Sequence, residues 1–310
     1  MKLSIVSTLY HSADHIAEFV ERTTSAAKEV ADDFEIILVN DGSPDDSLKI
    51  ALGIQKANAH LHIIDLSRNF GHHRALMTGL TYAKGARVFI IDSDLEERPE
   101  LLCQWWKLLD EEPDLDVVYG VQESRQGKPF EVLSGHIFYW LINALSPVKL
   151  NPNSIVSRLM TARYVRELLR HTEKELYLFG IMAATGFRQK GIPVNKPKKG
   201  TTTYTLIKRF SLFLNALTSF SNYPLYFIFH LGLSVTVFAT AYMVFLVGRW
   251  ALDPSRVLLG WTSVIVSIWF VGGVMLTSLG VMGIYLAKIF GEVKKRPLAI
   301  VRNSYPSETE

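Results

Sequence analysis

The sequence predicts an α/β domain followed by a helical region attached to a membrane. The first 125 residues alternate between short apolar runs and longer helical patterns, which is typical of a mostly parallel sheet covered by helices on both faces. Two later runs, at about 224–248 and 257–286, contain no Asp, Glu, Lys or Arg. At ~1.5 Å per residue, each run is long enough to cross a ~30 Å hydrocarbon core.

The composition agrees with this division. The chain has 310 residues, of which 48% are hydrophobic and 20% charged, and its mean hydropathy of +0.16 is high for a soluble enzyme. This content excludes a disordered chain. A net charge of +3 gives no support for nucleic-acid binding, and the single cysteine, Cys103, excludes an internal disulfide. The apolar run at Leu3 ends at Ser7, so we expect a buried strand there rather than a signal peptide.

The elements of the first domain follow from its apolar runs and turn residues. Strands are predicted at Leu3–Ser7, Phe34–Val39, Leu61–Leu66, Arg87–Ile91 and Leu115–Val121, and helices at Ala13–Val30, about Asp45–Lys56 and Gly71–Ala83. Ligands of such sheets bind beyond the carboxyl ends of the strands. The polar residues at those ends are therefore the candidate site: Tyr10-His11, Asn40-Asp41-Gly42-Ser43, Arg68-Asn69 and Asp92-Ser93-Asp94.

The second half predicts attachment to a membrane. The expected boundaries are 1–203 for the α/β domain, 204–222 for an amphipathic helix lying on the bilayer, 223–287 for two spans joined by a tight polar hairpin at 249–256, and 288–310 for a basic tail. Lys and Arg cluster before the first span and after the second. Because basic residues favour the cytoplasmic side, we expect a multi-pass protein of the cytoplasmic membrane with both termini in the cytoplasm.

Asp92 and Asp94 are the strongest candidates for chemistry. Two carboxylates two residues apart, on a turn after a buried strand, are suited to hold Mg²⁺ or Mn²⁺ together with a diphosphate. Glu96 is a candidate third ligand. An acidic turn that is merely solvated is the alternative.

The residues at the other strand ends each have a structural interpretation and a ligand-binding one. Asn40, Asp41, Gly42 and Ser43 are ordinary turn formers, or Asp41 accepts hydrogen bonds from a nucleobase or ribose. Arg68 either binds a diphosphate or braces the carboxylates.

In combination, these motifs resemble the membrane-bound polyisoprenyl-phosphate glycosyltransferases, the group of dolichol-phosphate mannose synthases and bactoprenol glucosyltransferases with a GT-A fold. The resemblance covers nearly the whole chain, and the matching segments occur in order: Val39-Asn40-Asp41-Gly42-Ser43, Arg68-Asn69-Phe70-Gly71, Asp92-Ser93-Asp94-Leu95, Ser157-Arg158-Leu159-Met160, Gly200 with Thr202 and Tyr204, Thr218-Ser219-Phe220-Ser221 and Lys295-Arg296-Pro297.

The resemblance implies roles for the matching positions. The donor nucleotide would contact Tyr10, Asp41, Gly42, Ser43, Arg68 and Asn69; the metal would lie on Asp92, Asp94 and Glu96; and the acceptor would meet Arg125, Arg158, Thr202 and Tyr204. Asp92, Asp94 and Arg158 would be the catalytic residues. The chain departs from the family pattern at Ser12, where relatives carry a glutamate, and at Val156 and Thr203.

The implied reaction moves a hexose from a nucleotide sugar, of the UDP-glucose or GDP-mannose type, to undecaprenyl or dolichyl phosphate with inversion. A phosphate monoester is mostly dianionic at neutral pH, so this acceptor needs no general base. One alternative extends a glycolipid or polysaccharide through a sugar hydroxyl, with Glu96, Glu97 or Glu123 as base. Another is an inactive membrane adaptor. The sequence leaves open a homo-oligomer and a flippase partner.

Overall fold

The computed structural model describes residues 1–122, 151, 153–173, 178–194, 223–252 and 261–306. The strands are β1 Leu3–Leu9, β2 Phe34–Asn40, β3 Leu61–Leu66, β4 Arg87–Ile90, β5 Val117–Gln122, β6 Ser154–Thr161, β7 Gln189–Val194 and β8 Val301–Tyr305. The helices are α1 Ile16–Val30, α2 Ser47–Gln55, α3 His72–Tyr82, α4 Leu101–Glu111, α5 Ala162–Leu168, α6 Leu178–Ala184, α7 Tyr223–Leu252 and α8 Trp261–Val293. The amphipathic helix predicted at 204–222 lies outside the described residues.

The eight strands form one mostly parallel sheet in the order β7-β5-β6-β4-β1-β2-β3-β8. Strand β1 pairs in parallel with both β2 and β4, and β2 pairs in parallel with β3. Strand β6 runs antiparallel between β4 and β5, and β8 runs antiparallel to β3. The predicted α/β class is confirmed, and the carboxyl ends of β1, β2, β3 and β4 meet at one edge.

The centre of the sheet is buried on both faces, which explains the continuous apolar runs. Every residue of β1, β2 and β3 is buried. On one face, the helices α1 and α4 cover the sheet with Phe19 and Trp105, both fully buried, and the Trp105 ring meets Phe89 of β4 edge-on. This packing fixes the strand ends that carry the candidate site.

The segment after the last helix was not predicted as part of the sheet. Helix α8 continues through Lys288 to Val293, and residues 301–305 then form β8 on the outer edge of β3. Side-chain bonds fasten this strand: His62 Nε2 and Ser304 Oγ lie 2.9 Å apart, and the Gln55 side chain donates to the carbonyl of Tyr305. The predicted basic tail therefore contains an edge strand of the α/β domain.

The chain divides into two compact units, one holding the sheet and the other holding α7 and α8. Within the described residues, one helical segment of 24 residues, Phe270–Val293, has the length and apolar composition to cross a membrane, with a mean hydropathy of 1.8 in its apolar 18-residue window. It lies in α8 and overlaps the second predicted span. Helix α7 contains the first predicted span and runs on to Leu252, and the rest of the predicted hairpin, 253–256, lies outside the described residues.

Candidate active site

The turn after β4 carries both aspartates of the predicted metal site. Leu95 adopts a left-handed conformation, with φ of 58°, and this reverses the chain directly after Asp94. The Glu96 N–H then donates to Asp94 Oδ1 over 3.0 Å, which closes the turn. As a result, the two carboxylates lie on one short, tightly turned segment at the end of a buried strand.

His72, the first residue of α3, joins this turn to β1. Its Nε2 atom lies 3.4 Å from Asp92 Oδ1, and its Nδ1 atom is 2.9 Å from the Thr8 hydroxyl. Burial, assisted by the neighbouring His73, lowers the pKa of His72 to about 4, although the Asp94 carboxylate opposes the shift. The imidazole is therefore neutral at physiological pH; it bonds α3 to Thr8 of β1 and lies against the Asp92 carboxylate. His72 was not predicted as a site residue, although its place directly after Gly71, at the predicted beginning of the helix, was a signal.

Ser12 links the same turn to the end of β1. The Ser12 hydroxyl lies 2.9 Å from the Ser93 hydroxyl and accepts a hydrogen bond from the Tyr10 N–H. The Ser93 hydroxyl in turn donates to the Thr8 carbonyl. This buried serine stands where the family pattern has a glutamate. Here it orients the aspartate turn and fixes the backbone at Tyr10, whose ring is half exposed.

Asp41 fixes the loop that contains Arg68. Its carboxylate is buried and accepts the N–H groups of Phe70 and Gly71 over 2.7 and 3.0 Å, at the beginning of α3. Burial raises the pKa of Asp41, although these two hydrogen bonds and Arg68 oppose the shift. The carboxylate therefore braces this loop, and its contact with a nucleobase or ribose stays a prediction.

Gly42 lets the two loops approach closely. Its φ is 59°, and a Cβ atom at this position would lie 2.5 Å from both the Arg68 carbonyl carbon and the Asn69 nitrogen. Neither backbone atom can move away easily, so only glycine fits. The predicted donor residues Asp41, Gly42, Arg68 and Asn69 are therefore brought together.

An open cleft of about 580 Å³ lies beside these loops, on the side of α2. Its lining includes Gly42, Ser43 and Arg68, together with Arg302 from β8. Hydrogen bonds from Ser43 and Ser47 hold the pKa of Asp45 well below its usual range and outweigh the opposing effect of its burial. This volume is within the range of small-molecule sites.

Arg158 is the one predicted acceptor residue within the described part of the chain, and it is almost fully buried. It lies in β6 opposite Ile90, the last residue of β4, two residues before Asp92. The guanidinium donates to the carbonyls of Ile155 and Val156 and lies 5.6 Å from the ring centroids of Tyr119 and Phe179. Burial lowers its pKa. Among the described residues, no carboxylate forms an ion pair with it.

A cavity of about 250 Å³ opens beside Arg158, with Tyr119, Phe179 and Phe187 in its lining. The Phe179 ring also meets His73 edge-on, with 6.2 Å between centroids. His73 follows His72, which faces Asp92. A series of neighbouring side chains, Phe179, His73 and His72, thus leads from the lining of the cavity to Asp92.

The two glutamates after the aspartates have different surroundings. Glu97 is buried and accepts hydrogen bonds from the backbone N–H and the hydroxyl of Ser157. Glu96 lines a small cavity with Arg98, Pro193 and other residues. In the described part of the chain, no three His, Cys, Asp or Glu side chains form a group able to hold a metal. Asp92, Asp94 and Glu96 therefore do not form such a group in the described residues, and the role of Glu96 as a metal ligand stays a prediction.

The remaining predicted acceptor residues, Arg125, Thr202 and Tyr204, lie outside the described residues, as does Glu123.

The sequence of this domain matches a known family over residues 4–190, described as glycosyl transferase family 2. The chain belongs to this family. A glycosyltransferase of Mycobacterium tuberculosis is 43% identical over 99% of this chain and 90% of its own length, and one of Synechocystis is 33% identical over 99% and 97%. A bactoprenol glucosyl transferase of Shigella flexneri is 29% identical over 98% and 99%. The protein is thus a glycosyltransferase, and the resemblance found in its motifs is confirmed.

Solved structures are similar at lower identity. Mannosyl-3-phosphoglycerate synthase from Rubrobacter xylanophilus matches at a TM-score of 0.47 and 15% identity over 70% of this chain and 72% of that chain. TarS of S. aureus matches at a TM-score of 0.43 and 20% identity. This match covers 62% of this chain and 58% of the TarS chain, which is less than two thirds of its length. The family and the observed sheet give the α/β domain a GT-A-like fold.

Proposed function

We propose that this glycosyltransferase moves a hexose from a nucleotide diphosphate sugar to a polyisoprenyl phosphate in the membrane. The observation that carries the proposal is the buried guanidinium of Arg158, which lines a cavity. Arg158 pairs across the sheet with Ile90, which lies two residues before Asp92. An anionic acceptor is the partner that such a cation favours. Guanidinium groups match phosphate oxygens with two parallel hydrogen bonds.

The donor is assigned to the loops at the ends of β1, β2 and β3. Asp41 holds the Arg68 loop against Gly42, so the Arg68 side chain is presented beside Ser43 and Asn69. Tyr10 supplies a half-exposed aromatic face at the end of β1. These groups suit a nucleoside and its diphosphate, with the sugar directed toward the turn after β4.

Asp92 and Asp94 fit a divalent metal such as Mg²⁺ or Mn²⁺. Mg²⁺ is usually bound by one or two carboxylates plus substrate phosphates rather than by a complete protein cage, and hard oxygen donors are what this turn offers. Bound there, the metal would neutralise charge on the leaving nucleotide diphosphate. His72 and Ser93 keep the turn in place, since they tie it to Thr8.

The expected reaction is a single in-line displacement at the anomeric carbon, with inversion. An acceptor phosphate is mostly dianionic at neutral pH and attacks without losing a proton to the enzyme. Arg158 would orient that phosphate while the donor loops hold the sugar opposite it. In agreement with this mechanism, the carboxylate of the buried Glu97 already accepts hydrogen bonds from the N–H and the hydroxyl of Ser157 in β6.

We also propose that helices α7 and α8 each cross the membrane once. Strand β8 pairs with β3 in the same sheet as β1, so the chain leaves the α/β domain and returns to it. Because β7 and β8 belong to the same sheet, the chain between them must cross the membrane an even number of times. Helices α7 and α8, of 30 and 33 residues, are ~45 and ~50 Å long, and apolar side chains such as Leu276 and Phe238 are exposed along them.

The direct test incubates the purified full chain with a panel of nucleotide sugars and undecaprenyl phosphate. We expect a sugar–phosphate lipid of the corresponding mass, whose sugar is released by mild acid because it is linked through a phosphodiester. A sugar joined to a glycan hydroxyl, or no product from any donor, would contradict the proposal.

The role of Glu97 separates this reaction from extension of a sugar hydroxyl. We expect Glu97→Gln to keep the transfer rate within about tenfold, because the amide oxygen still accepts the Ser157 N–H and no base is needed. Loss of a general base would lower the rate by roughly 10²- to 10⁴-fold. The rate of lipid glycosylation in detergent is the measurement, with Glu100→Gln on the exposed surface as control.

A further inference from the structure

We infer that Arg302, on the strand that follows the membrane helices, reads the nucleobase of the donor. The inference rests on the proposed nucleotide-sugar donor and concerns the cleft beside the donor loops. Arg302 lines that cleft together with Gly42, Ser43 and Arg68.

The position of the Arg302 guanidinium is fixed by the end of β3. Its Nη2 atom donates to the Ser67 carbonyl over 2.7 Å, and its Nη1 atom lies 3.5 Å from the buried carboxylate of Asp65. Asp65 is in turn bonded to Asn40 over 2.8 Å. A guanidinium has five N–H donors in a rigid fork, so donors remain for a ligand while the group is held in place. The side chain is about half exposed, on the side of the cleft.

The sheet order indicates which part of the donor reaches Arg302. The aspartate turn follows β4, and β3 lies three strands away in the order β4-β1-β2-β3. At a spacing of ~4.8 Å per strand, this separates the two by about 14 Å. The sugar and diphosphate belong at the aspartates, and the base is the part of a nucleotide sugar farthest from the reacting carbon. The base therefore lies toward β3 and Arg302.

The chemistry of the guanidinium favours particular bases. It only donates hydrogen bonds, so it selects a base with a carbonyl oxygen, as in uracil or guanine. Adenine presents an amino donor in place of that oxygen. Arg302 thus acts as a specificity-determining residue for a uracil or guanine nucleotide, and the segment after the membrane helices completes the donor pocket.

Calorimetric titration of the purified full chain with UDP, GDP, ADP and inorganic pyrophosphate, each with Mn²⁺, tests the inference. In Arg302→Gln, we expect the preferred one of UDP and GDP to bind about tenfold more weakly, because a hydrogen bond to a charged group is lost. Pyrophosphate affinity stays unchanged, and so does the weak binding of ADP. Unchanged affinity for UDP and GDP, or an equal loss for pyrophosphate, overturns the inference.

A matched variant separates direct contact from loosening of β8. Ser304 lies on the same strand as Arg302 but does not line the cleft, and Ser304→Ala removes its bond to His62 of β3. We expect nucleotide affinity to be unchanged in this variant. An equal loss of nucleotide affinity in Ser304→Ala would show that loosening of β8 causes the effect, and this would overturn the inference. If Arg302→Gln does not fold, Arg302→Lys replaces it, with an expected weakening of a few-fold. Wild-type protein that binds neither UDP nor GDP would contradict the proposed function itself, whereas a failure confined to Arg302 leaves that function standing.

Discussion

We expect Asp94→Asn to lower the rate of sugar transfer to polyprenyl phosphate by about 10³-fold. The substitution keeps an oxygen that accepts the Glu96 N–H, so the left-handed turn at Leu95 is retained. It removes the negative charge that a divalent cation requires, and charge stabilisation of the leaving group is the largest contribution expected at this site. The measurement is incorporation of radiolabelled sugar into lipid by membranes containing the variant.

The control for this prediction is Asp114→Asn, an exposed aspartate 4.0 Å from Arg188. Surface ion pairs contribute little, so this variant should keep the wild-type rate. Calorimetry with UDP or GDP adds a second measurement, because the Asp94 variant should lose the Mn²⁺ dependence of nucleotide binding. A transfer rate above a tenth of wild type would show that Asp94 does not hold a catalytic metal.

The central part of the fold was predictable because its signals are local. The strands β1, β2 and β3 are buried on both faces, so their apolar runs end within two residues of the observed bounds. Helix α1 begins at Ile16 rather than Ala13, after a turn in which the Ser12 carbonyl accepts the N–H groups of His15 and Ile16.

The edges of the sheet were not predictable in the same way. Strand β8 reads Val-Arg-Asn-Ser-Tyr, which has no apolar run, and most of its residues are exposed. It is a strand because the open edge of β3 offers unpaired backbone groups. That pairing joins residues more than 200 positions apart, and no local pattern reports it. Arg302 was therefore counted only as a basic residue of the tail.

The candidate site shows the same division. Asp41, Arg68, Asp92 and Asp94 were found because polar residues at parallel strand ends converge on one edge. The groups that hold them, His72 and Ser12, were missed, since their roles depend on contacts with Thr8 and Ser93. Sequence patterns locate the candidate residues, whereas the contacts that support them appear only when the chain is folded.

Arg158→Met should slow transfer strongly at low polyprenyl phosphate without destabilising the α/β domain. We expect the rate at low polyprenyl phosphate to fall by at least 10²-fold, chiefly through a higher KM for the lipid, because a charge-assisted contact with the phosphate is lost. Burial lowers the pKa of Arg158, so the folded state disfavours its charge. Methionine fills a similar volume among Tyr119 and Phe179 without that cost. The Tm should therefore stay equal to that of wild type or rise.

This combination distinguishes a binding role from a structural one. A guanidinium kept only for packing would lower the Tm when it is replaced, and its loss would weaken donor and acceptor binding alike. Arg158→Lys keeps the charge but not the planar pair of donors, and we expect an intermediate KM for the lipid. Arg170→Gln, an exposed arginine paired with Glu167, serves as the matched control with unchanged kinetics. A lower Tm with an unchanged KM in Arg158→Met would remove the acceptor phosphate from this cavity, because it would show that the guanidinium is held for its contacts with groups such as Tyr164 and Glu97, which favour its charge.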